Sequence, residues 1–166
     1  MYISKILIEN FRSFEKTEVD FHEGINVLIG HNNSGKSNLL AAMALIFDNT
    51  VNRQLEVDDF YNGINVDELK NSAPKIKITV IISQSKNEDL MGDELVTVSN
   101  WLTTLEEPYT AQVQYEYFLP LGEEENYKKR VSGLSEAKEI WRIIKNEYIR
   151  YYTYKIWAGN PDNQGW

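Results

Sequence analysis

Cysteine is absent from the 166 residues, which excludes a disulfide framework and any thiolate-held zinc or iron–sulfur centre, and fits a reducing cytoplasm. Basic residues are in deficit, with 17 Lys and Arg against 25 Asp and Glu and a formal net charge of −8. That balance argues against nonspecific nucleic-acid affinity in this piece, because phosphate neutralisation dominates such binding. Long apolar runs are also missing. The first strand-like segment, Tyr2 to Glu9, carries Lys5 and Glu9 and so reads as neither a secretion signal nor a membrane anchor. The two histidines, His22 and His31, have no Ser, Cys or metal-ligand partner at a telling spacing and read as solvent-facing. What the chain does have is 42% hydrophobic and 12% aromatic residues, enough to bury the core of one domain.

One motif stands out. Gly30-His31-Asn32-Asn33-Ser34-Gly35-Lys36-Ser37 matches G-x-x-x-x-G-K-[ST], the pattern of a phosphate-binding loop. Such a loop needs a strand before it and a helix after it. The run Gly24-Ile25-Asn26-Val27-Leu28-Ile29-Gly30 is apolar and β-branched, predicting a buried strand over 25–29. The stretch from Asn38 to Phe47 contains no Pro or Gly, predicting a helix over 36–48. Glycines at both ends let the backbone wrap a phosphate, successive N–H groups form an anion nest, and the helix adds its partly positive N-terminus. In that geometry Lys36 reaches the β- and γ-phosphates and the Ser37 hydroxyl ligates Mg²⁺.

The flanking residues narrow the class. The opening Ile8-Glu9-Asn10-Phe11-Arg12-Ser13-Phe14, followed by Gly30 to Asn38, resembles the N-terminus of the ABC-type ATPases that include RecF and SMC heads and the overcoming-lysogenization-defect (OLD) nucleases. Val57-Asp58-Asp59-Phe60, the segment Lys75 to Ile82, and Tyr154 to Pro161 resemble the OLD branch in particular. The resemblance is dense over residues 1–60 and thin afterward. It implies an α/β P-loop NTPase head, a mixed sheet with flanking helices, that uses ATP and Mg²⁺. It also implies an ATP site made by Gly30, His31, Asn32, Asn33, Ser34, Gly35, Lys36, Ser37 and Asn38, with Arg12 reaching the phosphates and the Asn32 amide turned toward the γ-phosphate. A glutamine that senses Mg²⁺ is implied as well, and both Gln54 and Gln84 are candidates. Such heads pair, so the implied partner is a second copy or another protein, and in OLD proteins the ATPase serves a DNA nuclease with a plausible role in defence.

Several parts of such an enzyme have no counterpart here. The apolar run Val80-Ile81-Ile82 ends in Ser83-Gln84 instead of Asp-Glu, so it is not a Walker B strand, and no Toprim acidic constellation follows. Val131-Ser132-Gly133-Leu134-Ser135 reads as a helix-capping turn, not a signature segment. The expectation is therefore one partial ATPase domain over 1–166, with 1–60 as its P-loop core, neither hydrolysing ATP appreciably nor cutting DNA alone. DNA contact would come through other regions.

Elsewhere the pattern predicts an antiparallel pair over 2–9 and 17–21 and strands over 75–83 and 110–119. It predicts a loop with one helical turn over 48–73, and amphipathic helices over 87–106 around Leu90, Leu95, Val98, Trp101, Leu102 and Leu105. A long helix is predicted from Ser135 to about Trp157, its face of Trp141, Ile144, Tyr148 and Tyr151 awaiting cover from another segment or chain. Asp58 and Asp59 read as a capped, solvated loop, and Lys128-Lys129-Arg130 after Glu123-Glu124-Glu125 as a solvated turn.

Overall fold

A computed structural model describes residues 1–31, 35–86, 96, 98–104 and 106–160. Strands β1 (Tyr2–Phe11) and β2 (Phe14–Asp20) form a hairpin, followed by α1 (Lys36–Phe47) and α2 (Val66–Asn71). Then come β3 (Ile76–Ser83), β4 (Thr110–Phe118), α3 (Leu121–Val131), α4 (Ala137–Ile143) and β5 (Thr153–Ala158). The strands make one sheet in the order β2-β1-β3-β4-β5, every neighbouring pair antiparallel. The α/β class is as expected. The predicted strand over 25–29 does not join this sheet as a parallel member.

Alternation along the strands decides which face is covered. Ile6 and Ile8 of β1, Ile76, Ile78, Val80 and Ile82 of β3, and Val113, Tyr115 and Tyr117 of β4 are all buried on one face. Against them pack Leu39, Ala42, Leu45 and Ile46 of α1, Leu69 of α2, and Ile140 and Ile143 of α4. The opposite face carries a row of alternating charge through all five strands. In register it runs Lys16, Glu9, Lys77, Glu116, Lys155. Directly opposed unlike charges favour this register, and a one-residue slip would also turn the isoleucines out to solvent.

The C-terminal third departs from the predicted long helix. α4 ends at Ile143, a π-helical turn covers Ile144–Tyr148, a 3₁₀ turn covers Ile149–Tyr151, and the chain then extends into β5. Tyr154 and Ile156 oppose Tyr117 and Tyr115 of β4, so the sheet edge captures residues whose spacing also suits a helix. The face expected to await cover is largely covered by the chain itself. Ile144 and Tyr148 are buried, Trp141 is partly buried, and Tyr151 is exposed. The basic triplet expected in a turn ends α3, where Arg130 makes two hydrogen bonds to Glu147 at 2.8 and 3.0 Å. Of the helices predicted over 87–106, Leu90, Leu95 and Leu105 lie outside the described residues. Ser99–Trp101 forms a single 3₁₀ turn.

Candidate nucleotide-binding site

The segment leading into the Gly30–Ser37 motif is in no strand and is not buried. Ile25, Val27 and Ile29 are 94%, 73% and 91% exposed, which corrects the expected buried strand. A strand of this composition is buried only where neighbours flank it, and no described strand lies beside it. Local bonds hold it instead: the Asn26 side chain accepts from His22 N at 2.8 Å and donates to His22 O at 2.7 Å.

Where helix α1 begins, each residue has a definite task. Gly35 is its N-cap at φ +87°, in the left-handed region that favours glycine, and its carbonyl accepts from Leu39 N at 2.8 Å. A Cβ there would stand 3.0 Å from Phe14 Cζ, so the glycine is also required by the hairpin turn against it. The Lys36 ammonium donates to the carbonyls of Gly30 and of His31, the latter at 2.9 Å, and so folds back over its own loop. Ser37 is exposed at the same helix end. Asn32, Asn33 and Ser34 lie outside the described residues.

Arg12 comes to this helix end from the hairpin. Its φ of 49° is also left-handed, unusual for a non-glycine residue, and its backbone N–H donates to Asp59 O at 2.8 Å. Its guanidinium donates to Asp59 Oδ1 at 2.9 Å and to Asn38 Oδ1 at 3.4 Å, and lies 5.0 Å from the Phe11 ring centre. Asn38 in turn donates to Ser13 Oγ at 2.9 Å. Asp59 thus serves as Arg12's partner and, through Oδ2, accepts from Glu56 N at 3.1 Å to close a capping box. The structure brings together Arg12, Asn38 and the Gly35–Ser37 turn.

Beside Arg12 lies a cleft of about 620 Å³, bordered by Asn38, Asp58, Phe60, Lys138 and Trp141. Phe60, Lys138 and Trp141 had no functional reading in the sequence. No spacing signal joins α4 to a loop a hundred residues earlier, and Trp141 read as part of an apolar stripe. The two candidate glutamines both have structural partners. Gln54 Nε2 donates to Tyr117 Oη at 3.0 Å and to Tyr152 O at 2.9 Å, and Gln84 Oε1 accepts from Tyr109 N at 3.0 Å.

The donor set fits a Mg²⁺-bound nucleoside triphosphate. A lysine, a serine hydroxyl and the N-terminal turn of a twelve-residue helix without a side-chain cap meet at the start of α1. No helix among the described residues is long and apolar enough to cross a membrane.

The chain belongs to the AAA ATPase domain family, whose model matches residues 1–161. Among curated proteins it is similar to the DNA replication and repair protein RecF of Thermoanaerobacter sp. (strain X514), 44% identical over 46 residues, 28% of this chain and 13% of that protein. RecF of Caldanaerobacter subterraneus subsp. tengcongensis is 46% identical over 46 residues, with the same 28% and 13% coverage. The matched part is thus a small share of the length of these curated relatives. Among solved structures, one described under ATP-driven dimerization and DNA-stimulated activation of SMC ATPases aligns with a TM-score of 0.44 at 18% identity, over 87% of this chain and 78% of that one.

Proposed function

We propose that this chain binds ATP with Mg²⁺ as the nucleotide-binding section of a DNA-processing ATPase head. The observation that carries the reading is the convergence of Arg12, Asn38 and the Gly35–Ser37 turn at the start of α1. In the ATP-bound state Lys36 would leave the carbonyls of Gly30 and His31 and take the β- and γ-phosphates, and Ser37 would ligate the metal. Bound Mg²⁺ neutralises phosphate charge. The resemblance of 57–60, 75–82 and 154–161 to OLD proteins favours a head that serves an ATP-dependent DNA endonuclease, with DNA and a second head as partners. The 44–46% identity to RecF over 46 residues supports the second reading, a repair ATPase head.

Calorimetric titration with Mg²⁺–ATP tests the shared claim. The parent chain is expected to bind and Lys36→Ala to lose most of that binding, because the cation opposite the phosphates is gone. Equal affinities would sink the phosphate-loop assignment.

A further inference from the structure

We propose that α4 forms the second wall of the nucleotide cleft, with Trp141 contacting the base-and-sugar part of the ligand and Lys138 adding attraction for its charge. This inference rests on the nucleotide-binding reading above and extends it to residues outside the phosphate loop. Ala137, Lys138 and Trp141 all border the cleft together with Arg12, Asn38 and Phe60, and their i, i+1, i+4 spacing puts them along one side of α4. Trp141 packs on Phe60 with ring centres 5.8 Å apart at 50°, which fixes the indole against a buried neighbour. Its Nε1 is buried and has no hydrogen-bond partner among the described residues. A buried donor left without an acceptor is uncommon, and at the wall of a cleft a ligand's acceptor is the natural partner.

Charge points the same way. The helix α4 itself carries Lys138 and Arg142 against Glu139, and on the border of the cleft Arg12 and Lys138 outweigh Asp58. Lys138 is exposed and borders the same cleft as Arg12, so two cations line it and favour an anionic ligand. The phosphates are taken by the Lys36 end of α1, while the cleft starts at Asn38 and its 620 Å³ lies within the size range of small-ligand sites. A planar base and its sugar are what remain to fill it.

The test compares ATP and inorganic triphosphate, each with Mg²⁺, by calorimetry on the whole chain. Trp141→Phe keeps the packing on Phe60 and removes the donor, so ATP binding is expected to weaken roughly three- to tenfold while triphosphate binding stays unchanged. Lys138→Gln, an exposed change that leaves the fold intact, is expected to weaken both probes about two- to fivefold at low ionic strength and not at high. ATP affinity unaltered in both variants, with Lys36→Ala still defective, would overturn the α4 wall and leave the proposed function standing. Equal losses for ATP and triphosphate in Trp141→Phe would likewise overturn the base-side contact. Failure of the parent chain to bind either probe would overturn both readings. Should Trp141→Phe melt early, Lys138→Gln decides alone: binding equal to the parent's at low salt counts against the wall.

Discussion

Phe14 and Gly35 are in direct contact across the hairpin turn and the start of α1, with only 3.0 Å between Phe14 Cζ and the position a Cβ would take on Gly35. Glycine is needed there twice over, for the left-handed backbone and for the space. Gly35→Ala is expected to destabilise by about 1–2 kcal/mol through backbone strain and by about 1–3 kcal/mol more through crowding. Adding Phe14→Leu should recover part of the crowding share, so a double-mutant cycle on thermal melts would show non-additivity. Strict additivity would mean that the ring does not meet the methyl.

Arg12 is expected to matter little to stability and more to nucleotide binding. Its ion pair with Asp59 is partly exposed, so Arg12→Ala should cost under about 1 kcal/mol of stability. The same change should weaken ATP binding by more than about tenfold, because a guanidinium–phosphate bond is charge-assisted. Asp59→Asn, which loosens Arg12 without removing it, should fall between. Denaturant melts and titrations on the same samples separate the two effects, and an unchanged ATP affinity in Arg12→Ala would remove Arg12 from the site.

Gln54 is exposed, yet its amide ties two core residues together. Its amide joins Tyr117 Oη to the Tyr152 carbonyl, and Tyr117 donates onward to Leu55 O at 2.7 Å. Gln54→Ala strands that carbonyl, so a loss of about 1–3 kcal/mol in stability is expected, with the Mg²⁺ dependence of ATP binding unaltered. A variant with parent-like melting and a shifted Mg²⁺ dependence would instead place Gln54 at the metal.

Five buried tyrosines give the protein an alkaline limit. Burial pushes the Tyr117 phenol up to about 12, with Asp59 and Glu56 adding to the rise, and lifts Tyr115, Tyr127, Tyr148 and Tyr152 as well. Because these groups hold their protons more tightly folded than unfolded, their contribution is complete below the ordinary value near 10 and disappears as pH climbs past about 12. Stability should therefore fall with rising pH from about 10 upward. Phenolate absorbance of the buried rings should rise in a steep step coincident with loss of the circular dichroism signal. Ionisation of these buried phenols near 10 with secondary structure intact would show that the rings are open to water.

Much of the fold was legible because period-2 burial is written directly into the chain. Ile76, Ile78, Val80 and Ile82 alternate so regularly that β3 needed no tertiary information, and the β1–β2 pair, α1 and β4 were equally plain. The 25–29 segment was misread because apolar composition specifies that a strand wants burial, not that neighbours exist to supply it. The helix predicted through Trp157 was misread for a related reason. Its aromatic residues suit both periods, and pairing with β4 outweighed helix continuation from Thr153 onward.

The Gly35–Ser37 turn was determined by local sequence, since a left-handed glycine and a helix start need no distant partner to present Lys36 and Ser37. Everything that surrounds it was decided by tertiary structure. Arg12 gains meaning from Asp59, 47 residues on, and Trp141 borders the same cleft only because the sheet carries α4 back beside the hairpin. Contacts between residues so far apart leave no periodic trace in the chain, and they form only when burial of the shared core fixes both ends in space.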